Sequence, residues 1–276
     1  MNTLNTNTVE GEPRDAASVV LLRDAVGRDT KALGSQAGDI EVFLLRRGGS
    51  TTVMNDAYVF PGGKVDEADA SAMQISANNV PGGANALLGE QDLSPAKAAS
   101  LFVAACRETF EECGVQLTAS DLIPLSRWIT PKVPAMMRKR FDTRFFIAVM
   151  PVGAVAVHDG QEADASVWCT PKVALERYRD GEIMLAPPQI MTLVGLLPHT
   201  STSNLSTHLR KLTPRLIEPF PIQIDGERGM AYPGDHRHPI QERAMPGPSF
   251  LVYRNERFEP SEGFDSFFVN LSAKAT

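Results

Sequence analysis

The feature that most constrains the fold is a segment with helix signals at both ends, from Ser94 to Gly114. Ser94 suits an N-cap and the proline after it suits the first helical position, while Gly114 suits the residue just past the end. On a helical wheel its apolar side chains cluster on one side: Ala99, Val103, Cys106, Phe110 and Cys113. The segment is therefore predicted to be an amphipathic helix that buries this stripe, including the Phe110 ring, in the core.

The opposite side of this helix carries three carboxylates, Glu108, Glu111 and Glu112. Glu108 and Glu112 are four residues apart and repel each other, and they lie near the helix C-terminus, where the macrodipole disfavours negative charge. Arg107 is spaced to pair with Glu111 and orient it. Two interpretations are open: a solvated acidic face, or a site for a hard divalent cation such as Mg²⁺ or Mn²⁺.

The rest of the chain alternates predicted strands and helices. Strands are predicted around 17–25, 40–47, 56–60, 122–130, 143–151 and 165–170, and helices at 171–181 and 187–200. This alternation predicts an α/β fold in which a mixed sheet is covered by helices. The expected organisation is a disordered leader (1–15), a main domain (16–212) containing an irregular insertion (70–94), and a β-rich C-terminal extension packed on it (213–276).

Charge and cysteine content limit the class of protein. The net charge is -6 and the isoelectric point is near 5.5, which argues against a non-specific nucleic-acid binder. No apolar run is long enough to predict a membrane-spanning helix. The three cysteines are odd in number and form no CxxC pair, which indicates a reducing compartment, and a cytoplasmic location is expected.

An acidic protein that binds an anionic substrate needs local positive charge. Candidates for phosphate binding are Arg46 and Arg47, Arg144, and the cluster of Lys132, Arg138, Lys139 and Arg140. Arginine can hold a phosphate through two parallel hydrogen bonds. The alternative for each of these side chains is an ordinary surface salt bridge.

Two segments resemble the halves of a Nudix box, FPGGKVDEAD (60–69) and RETFEECGV (107–115). Gly63 matches the first glycine of the family pattern, and Arg107, Glu108, Glu111, Glu112 and Gly114 match its second half. Asp69 stands where the family has glutamate, and Thr109 where it has an aliphatic residue. Thirty-seven residues, 70–106, separate the halves instead of seven. A split box resembles the coenzyme A diphosphatase-like branch, as do residues 127–148 and 168–189.

The resemblance implies a Nudix α/β/α sandwich and metal-dependent hydrolysis of the pyrophosphate in a nucleoside diphosphate derivative. Coenzyme A or acyl-CoA is the leading small-molecule substrate, with ADP-ribose, NADH and nucleoside triphosphates as alternatives. Mg²⁺ or Mn²⁺ is expected on the three glutamates of the helix and on a carbonyl of the glycine turn, at Gly62. The general base is a glutamate of the box or one from a later loop, for which Glu162 is the candidate; Glu162 as a plain exposed loop residue is equally open.

Two other classes of function stay open alongside hydrolysis. A Nudix-fold sensor would bind a nucleotide without turning it over, and a scaffold helix with a chance acidic patch would show no metal dependence. No nucleic-acid or membrane partner is expected, and a homodimer is left open.

Overall fold

The computed structural model describes residues 8–25, 39–48, 56–133, 139–224 and 226–269. Its strands are β1 Arg14–Asp24, β2 Ile40–Arg47, β3 Ala57–Val59, β4 Gly62–Lys64, β5 Ile123–Ile129, β6 Phe141–Val149, β7 Ala163–Cys169, β8 Met184–Leu185, β9 Arg215–Ile217, β10 Phe220–Ile224, β11 Glu227–Ala231, β12 Phe250–Arg254 and β13 Arg257–Pro260. Its helices are α1 Ala72–Ala77, α2 Ala84–Leu87, α3 Pro95–Cys113, α4 Pro171–Arg179, α5 Pro187–Leu196 and α6 Thr202–Leu209.

The central sheet is mixed, as the sequence predicts. Its strand order is β8-β3-β2-β1-β6-β5-β9, with β4 paired to β1 and β7 paired to β2. The β1–β6, β5–β9 and β3–β8 pairs are parallel, whereas β1–β2, β1–β4, β2–β3, β2–β7 and β5–β6 are antiparallel. The glycine turn lies beside the middle of the sheet, because its strand β4 pairs with β1, which lies between β2 and β6.

Helices cover both faces of this sheet, because both faces of its central strands are apolar. Along β1, Val19 and Leu21 lie in the core beneath α3, while Val20 and Leu22 lie in the core beneath α4 and α5. Successive side chains of a strand point to opposite faces, so one continuous apolar run supplies both cores. The α/β/α sandwich is therefore confirmed.

Helix α3 begins and ends where its sequence predicts. The Ser94 hydroxyl accepts a hydrogen bond from the amide of Lys97, and Gly114 adopts the left-handed conformation with φ 71°. The predicted burial of Phe110 is wrong, because its side chain is 52% exposed. The last turns contact the core through Thr109 and Cys113 instead, and the Thr109 hydroxyl is satisfied by the carbonyl of Ala105 at 2.7 Å.

Three features of the structure differ from the expected organisation of the chain. The first strand already includes Arg14 and Asp15, which the expected leader contained. The insertion is not wholly irregular, since it contains the short helices α1 and α2. Strand β9, beyond residue 212, joins the central sheet beside β5. Helix α6 has no counterpart among the predicted elements.

The C-terminal extension forms a second antiparallel sheet, in the order β10-β11-β12-β13. Tyr232, Leu251 and Phe258 belong to the same core as α4 and α5, and the Tyr178 hydroxyl donates to the carbonyl of Phe258. Residues of the extension therefore share a core with the helices of the main domain. Within the described ranges, no helix combines the length and the apolar character needed to cross a bilayer.

Candidate active site

The site is organised by one guanidinium group, that of Arg107 on α3. Its Nε donates to Asp69 Oδ1 at 2.9 Å and its Nη2 to Asp69 Oδ2 at 3.0 Å. Asp69 is 1% exposed, and its Oδ2 also accepts from the amide of Asp66 at 2.8 Å. Because the aspartate is fixed by the turn it caps, it holds the arginine at a defined position beside the helix.

The remaining donors of Arg107 join the carboxylates to the glycine turn. Nη1 donates to Glu108 Oε1 and to Glu111 Oε2, both at 2.9 Å, and Nη2 donates to the carbonyl of Lys64 at 2.9 Å. The hydrogen bond with Asp69 is the main cause that raises the pKa of Arg107, so the group stays charged. The predicted pairing of Arg107 with Glu111 is thus present, together with partners outside the helix.

Glu112 is held by the glycine turn rather than by Arg107. Its Oε2 accepts a hydrogen bond from the amide of Gly62 at 2.9 Å. Gly62 has φ 153°, and a side chain there would meet the Ala17 carbonyl at 2.4 Å. A Cβ on Gly63 would lie 2.4 Å from the Glu108 carboxylate. Both glycines are therefore needed for β4 to approach β1 on one side and the acidic helix on the other.

Burial and neighbouring negative charges destabilise the ionised forms of Glu108 and Glu112. Burial raises the pKa of Glu112 to about 8; the Gly62 amide and Arg47 oppose this, while the charges of Glu108 and Glu162 add to it. Burial also raises the pKa of Glu108, against the opposing effect of Arg107. A cation placed here would stabilise the ionised forms of both side chains.

Glu162 reaches this cluster from the connection between β6 and β7. The amide of Asp159 donates to the carbonyl of Glu112 at 3.1 Å, which ties the connection to the end of α3. The Asp159 carboxylate accepts from the amides of Gln161, Glu162 and Ala163 at 3.1–3.2 Å. The Glu162 side chain is exposed, and its charge raises the pKa of both Glu108 and Glu112.

The donor set fits a hard divalent cation in its chemistry. Its donor atoms are all oxygens, most of them from carboxylates. Within the described part of the chain, Glu108 Oε2, Glu111 Oε1 and Glu112 Oε1 accept no hydrogen bond, whereas the second oxygen of each carboxylate does. The side chains are not already arranged as a cage: among the described residues, no group of three or more His, Cys, Asp or Glu side chains is positioned to hold a metal.

The two arginines at the end of β2 have different surroundings. Arg47 follows Phe43 and Leu45 on the face that packs against α3, and it lowers the pKa of Glu112. Arg46 points to the other face, where its Nε donates to Asp164 Oδ1 at 2.7 Å. Of this pair, the structure brings only Arg47 near the carboxylates.

Arg140 and Arg144 are structural residues, contrary to the prediction that they bind phosphate. Arg140 is buried, and donates to the carbonyls of Thr130 and Gly11 at 2.9 and 3.2 Å. Arg144 is 2% exposed and paired with carboxylates from three elements: Asp15, Glu90 and Asp142. Neither guanidinium has a free side for a substrate. Arg138 of the same cluster lies outside the described residues.

Sequence reasoning missed the side chains that connect distant segments. Glu90, in the insertion, binds Arg144 at 2.7 Å and Arg127 at 2.8 Å, which anchors the insertion to β6 and β5. The sequence also did not identify Asp159, whose carboxylate fixes the turn before Glu162. The Asp-Gly pair at 159–160 was the available signal for that turn. No local signal marks Glu90.

Comparison with solved structures supports the fold. A crystal structure of a Nudix hydrolase from Alicyclobacillus acidocaldarius matches 74% of this chain and 97% of its own length, with a TM-score of 0.54 and 23% sequence identity. The chain therefore has the fold of the Nudix hydrolases.

Among proteins with this fold, the similarity in sequence points to one branch. Residues 120–196 match the profile of the NUDT19 Nudix domain. A protein from Gallus gallus named acyl-coenzyme A diphosphatase NUDT19 is 28% identical over 266 residues, covering 70% of each chain. A protein of the same name from Xenopus laevis is 24% identical over 298 residues, covering 82% of this chain and 78% of its own. The profile match begins after α3, so the carboxylate site rests on the geometry described above.

Proposed function

We propose that this protein is a divalent-metal-dependent hydrolase that cleaves the pyrophosphate of coenzyme A or of an acyl-CoA. The observation that carries the proposal is the Arg107 cluster, which brings Asp69, Glu108 and Glu111 together beside Glu112 and the glycine turn. The choice of substrate is supported by the two relatives named acyl-coenzyme A diphosphatase.

Glu108, Glu111 and Glu112, with the backbone carbonyl of Gly62, are the groups that would hold Mg²⁺ or Mn²⁺. When bound, the ion supplies charge neutralisation at the pyrophosphate and lowers the pKa of a coordinated water. The protein contributes the orientation of its ligands: Arg107 fixes one oxygen of Glu108 and one of Glu111, and the Gly62 amide fixes one of Glu112.

The reaction is the attack of water on one phosphorus of the pyrophosphate. The bond from that phosphorus to the bridging oxygen breaks, and the water oxygen stays on the attacked phosphate. Coenzyme A then yields an adenosine bisphosphate and phosphopantetheine. A general base must accept the proton from the water. Glu162 is the proposed base, because it is exposed and close enough to raise the pKa of Glu108 and Glu112, both partly buried. Glu112 is the alternative base.

Arg47 is the proposed contact for a substrate phosphate. It is exposed, it lies on the α3 face, and it is close enough to Glu112 to lower the pKa of that carboxyl. Arg46 stays a weaker proposal, since a phosphate would have to displace Asp164 from it. A cytoplasmic location and a homodimer remain predictions.

The test is a comparison of kcat/KM for coenzyme A, ADP-ribose, NADH and ATP, each with Mg²⁺, with Mn²⁺ and with a chelator. We expect cleavage of coenzyme A that the chelator abolishes, and Glu112→Gln to lower kcat by about 10²–10³-fold. Glu262→Gln is the matched control, because it makes the same change at an exposed position of the C-terminal extension.

Three results would contradict the proposal in different ways. A preference for ADP-ribose, NADH or ATP would assign another substrate to the same chemistry. Nucleotide binding without turnover would favour a sensor. Equal loss of activity in Glu112→Gln and Glu262→Gln would remove the acidic helix from the mechanism.

A further inference from the structure

The connection between β6 and β7 exposes an unusual amount of apolar surface. Residues 149–157, VMPVGAVAV, contain no charged side chain and are called here the valine loop. Val152 is fully exposed, Val155 is 74% exposed and Val157 is 55% exposed. Ala156 packs into the core beneath α3, so the backbone of the loop is anchored while these valines face solvent. An apolar surface of this kind is a common sign of a binding site.

The valine loop is attached to the part of the molecule that carries the candidate active site. The amide of Val157 donates to the carbonyl of Cys113 at 3.1 Å, next to the bond from Asp159 to the carbonyl of Glu112. Phe110, half-exposed, lies one helical turn earlier on α3. The apolar surface therefore begins at the end of the helix that carries the carboxylates.

The same connection continues from the valine loop to Glu162. Val155 and Glu162 are seven positions apart, and a fully extended chain over seven positions spans at most about 23–25 Å. Three positions before Glu162, the amide of Asp159 donates to the carbonyl of Glu112 at 3.1 Å, which holds this end of the connection against the carboxylate helix. One extended ligand can thus reach the carboxylates with one end and the valine loop with the other.

We propose that the valine loop binds the acyl chain of an acyl-CoA whose pyrophosphate lies at the candidate active site; this inference rests on the proposed function. An acyl-CoA has charged phosphates at one end, an uncharged pantetheine arm, and an apolar chain at the other end. The protein surface has the matching order: Arg107 and the carboxylates, then the Asp159 turn, then the uncharged valine loop.

An acyl chain on the valine loop predicts a preference that grows with chain length. Each methylene removed from water contributes about a fourfold gain in affinity. A chain that covers the exposed valines by a few methylenes therefore lowers KM by at least about tenfold relative to free coenzyme A. Two other occupants, a lipid bilayer and a second copy of this chain, would cover the same valines without any dependence of KM on the acyl chain.

The test uses the double variant Val152→Ser/Val155→Ser, whose folding is expected to be intact because both side chains face solvent. Val269→Ser is the matched control, since Val269 is 68% exposed at the far end of the chain. KM and kcat are measured for free coenzyme A and for acetyl-, hexanoyl- and decanoyl-CoA below their micelle concentrations. The wild type and the control should show a KM that falls by at least about tenfold from free coenzyme A to decanoyl-CoA.

In the double variant, KM for decanoyl-CoA should rise to within about twofold of KM for free coenzyme A, with kcat and the values for free coenzyme A unchanged. A double variant that keeps the chain-length dependence overturns the inference. Two other results also overturn it: the wild type floats with phosphatidylcholine vesicles and the double variant does not, or the wild type sediments as a dimer and the double variant as a monomer. Failure of the wild type to cleave free coenzyme A or any acyl-CoA would instead count against the proposed function itself.

Discussion

Asp69 and Arg107 lie thirty-eight positions apart in the sequence and are joined by two hydrogen bonds, at 2.9 and 3.0 Å. The long insertion between them does not separate the two parts of the site, because its chain leaves after Asp69 and returns at the N-terminus of α3. The aspartate that replaces the usual glutamate is long enough for this contact, since the turn that it caps brings it against the helix.

Asp69→Asn should therefore damage both stability and catalysis. Removing one member of a buried ion pair leaves the other without its charge partner, and because Arg107 is partly exposed we expect a loss of about 1–3 kcal/mol in the free energy of unfolding. The kcat should fall by about 10–100-fold, because Glu108 and Glu111 lose their fixed arginine. Urea unfolding and steady-state kinetics measure the two effects.

Asp66→Asn is the control for this pair. Asp66 is 3.8 Å from the same arginine and mostly exposed, so its loss should cost under about 1 kcal/mol. Equal effects of the two substitutions would show that Asp69 has no special role in holding Arg107.

The stability of the metal-free protein should fall as pH rises from about 4.5 to about 8. The pKa of Glu112 is raised from 4.5 to about 8 on folding, so the folded state binds the proton more tightly than the unfolded state across this window. Deprotonation of Glu112 therefore lowers the free energy of unfolding, by about 1.4 kcal/mol for each unit by which the folded-state pKa exceeds the unfolded-state pKa. The measurement is urea unfolding in chelator at several pH values.

Glu112→Gln should flatten this pH dependence and raise the stability of the metal-free protein at pH 8. Added Mg²⁺ should narrow the difference between wild type and variant, because a cation stabilises the ionised carboxylate. Parallel pH profiles for the two proteins would mean that Glu112 titrates normally in the folded state.

Local sequence signals predicted the limits of helix α3 correctly. The features that they did not predict depend on tertiary packing. The serine, proline and glycine at the ends of α3 fixed its limits, because capping depends on neighbouring residues alone. Which side of its last turns faces the sheet depends on the position of the sheet, so the burial of Phe110 was predicted wrongly and that of Thr109 was not predicted. The burial of Arg144 could not be predicted either, because one of its partners, Glu90, comes from the insertion.

Phe110 and Phe102 provide a direct test of how α3 is oriented. Phe102 is fully buried between α3 and the central sheet. Phe102→Ala should therefore lower the free energy of unfolding by about 3–5 kcal/mol. Phe110→Ala should cost under about 1 kcal/mol, since half of that side chain is already in water. Chemical denaturation of both variants is the measurement, and similar losses would mean that the last turns of α3 are rotated from the orientation described.

Substitutions of Arg47 and Arg144 should have different effects, the first on substrate binding and the second on stability. Arg47→Gln should raise KM by about tenfold with little change in stability, because the side chain is exposed near Glu112. Arg144→Gln should lower the free energy of unfolding by about 3–5 kcal/mol, because it leaves buried Asp142 and partly buried Glu90 without this partner. Kinetics are compared at a temperature where both variants are folded. A large KM effect in Arg144→Gln alone would reverse the two assignments.

The most direct test of the central claim is the identity of the products formed from coenzyme A. The wild type and Glu112→Gln are incubated with coenzyme A and Mg²⁺ in ¹⁸O-labelled water. The products are then separated, and their masses are determined by mass spectrometry. We predict an adenosine bisphosphate and phosphopantetheine in equal amounts, with one ¹⁸O atom on one of the two new phosphates, and almost no product from the variant. Intact coenzyme A in the wild-type reaction, or cleavage at any bond outside the pyrophosphate, would contradict the account.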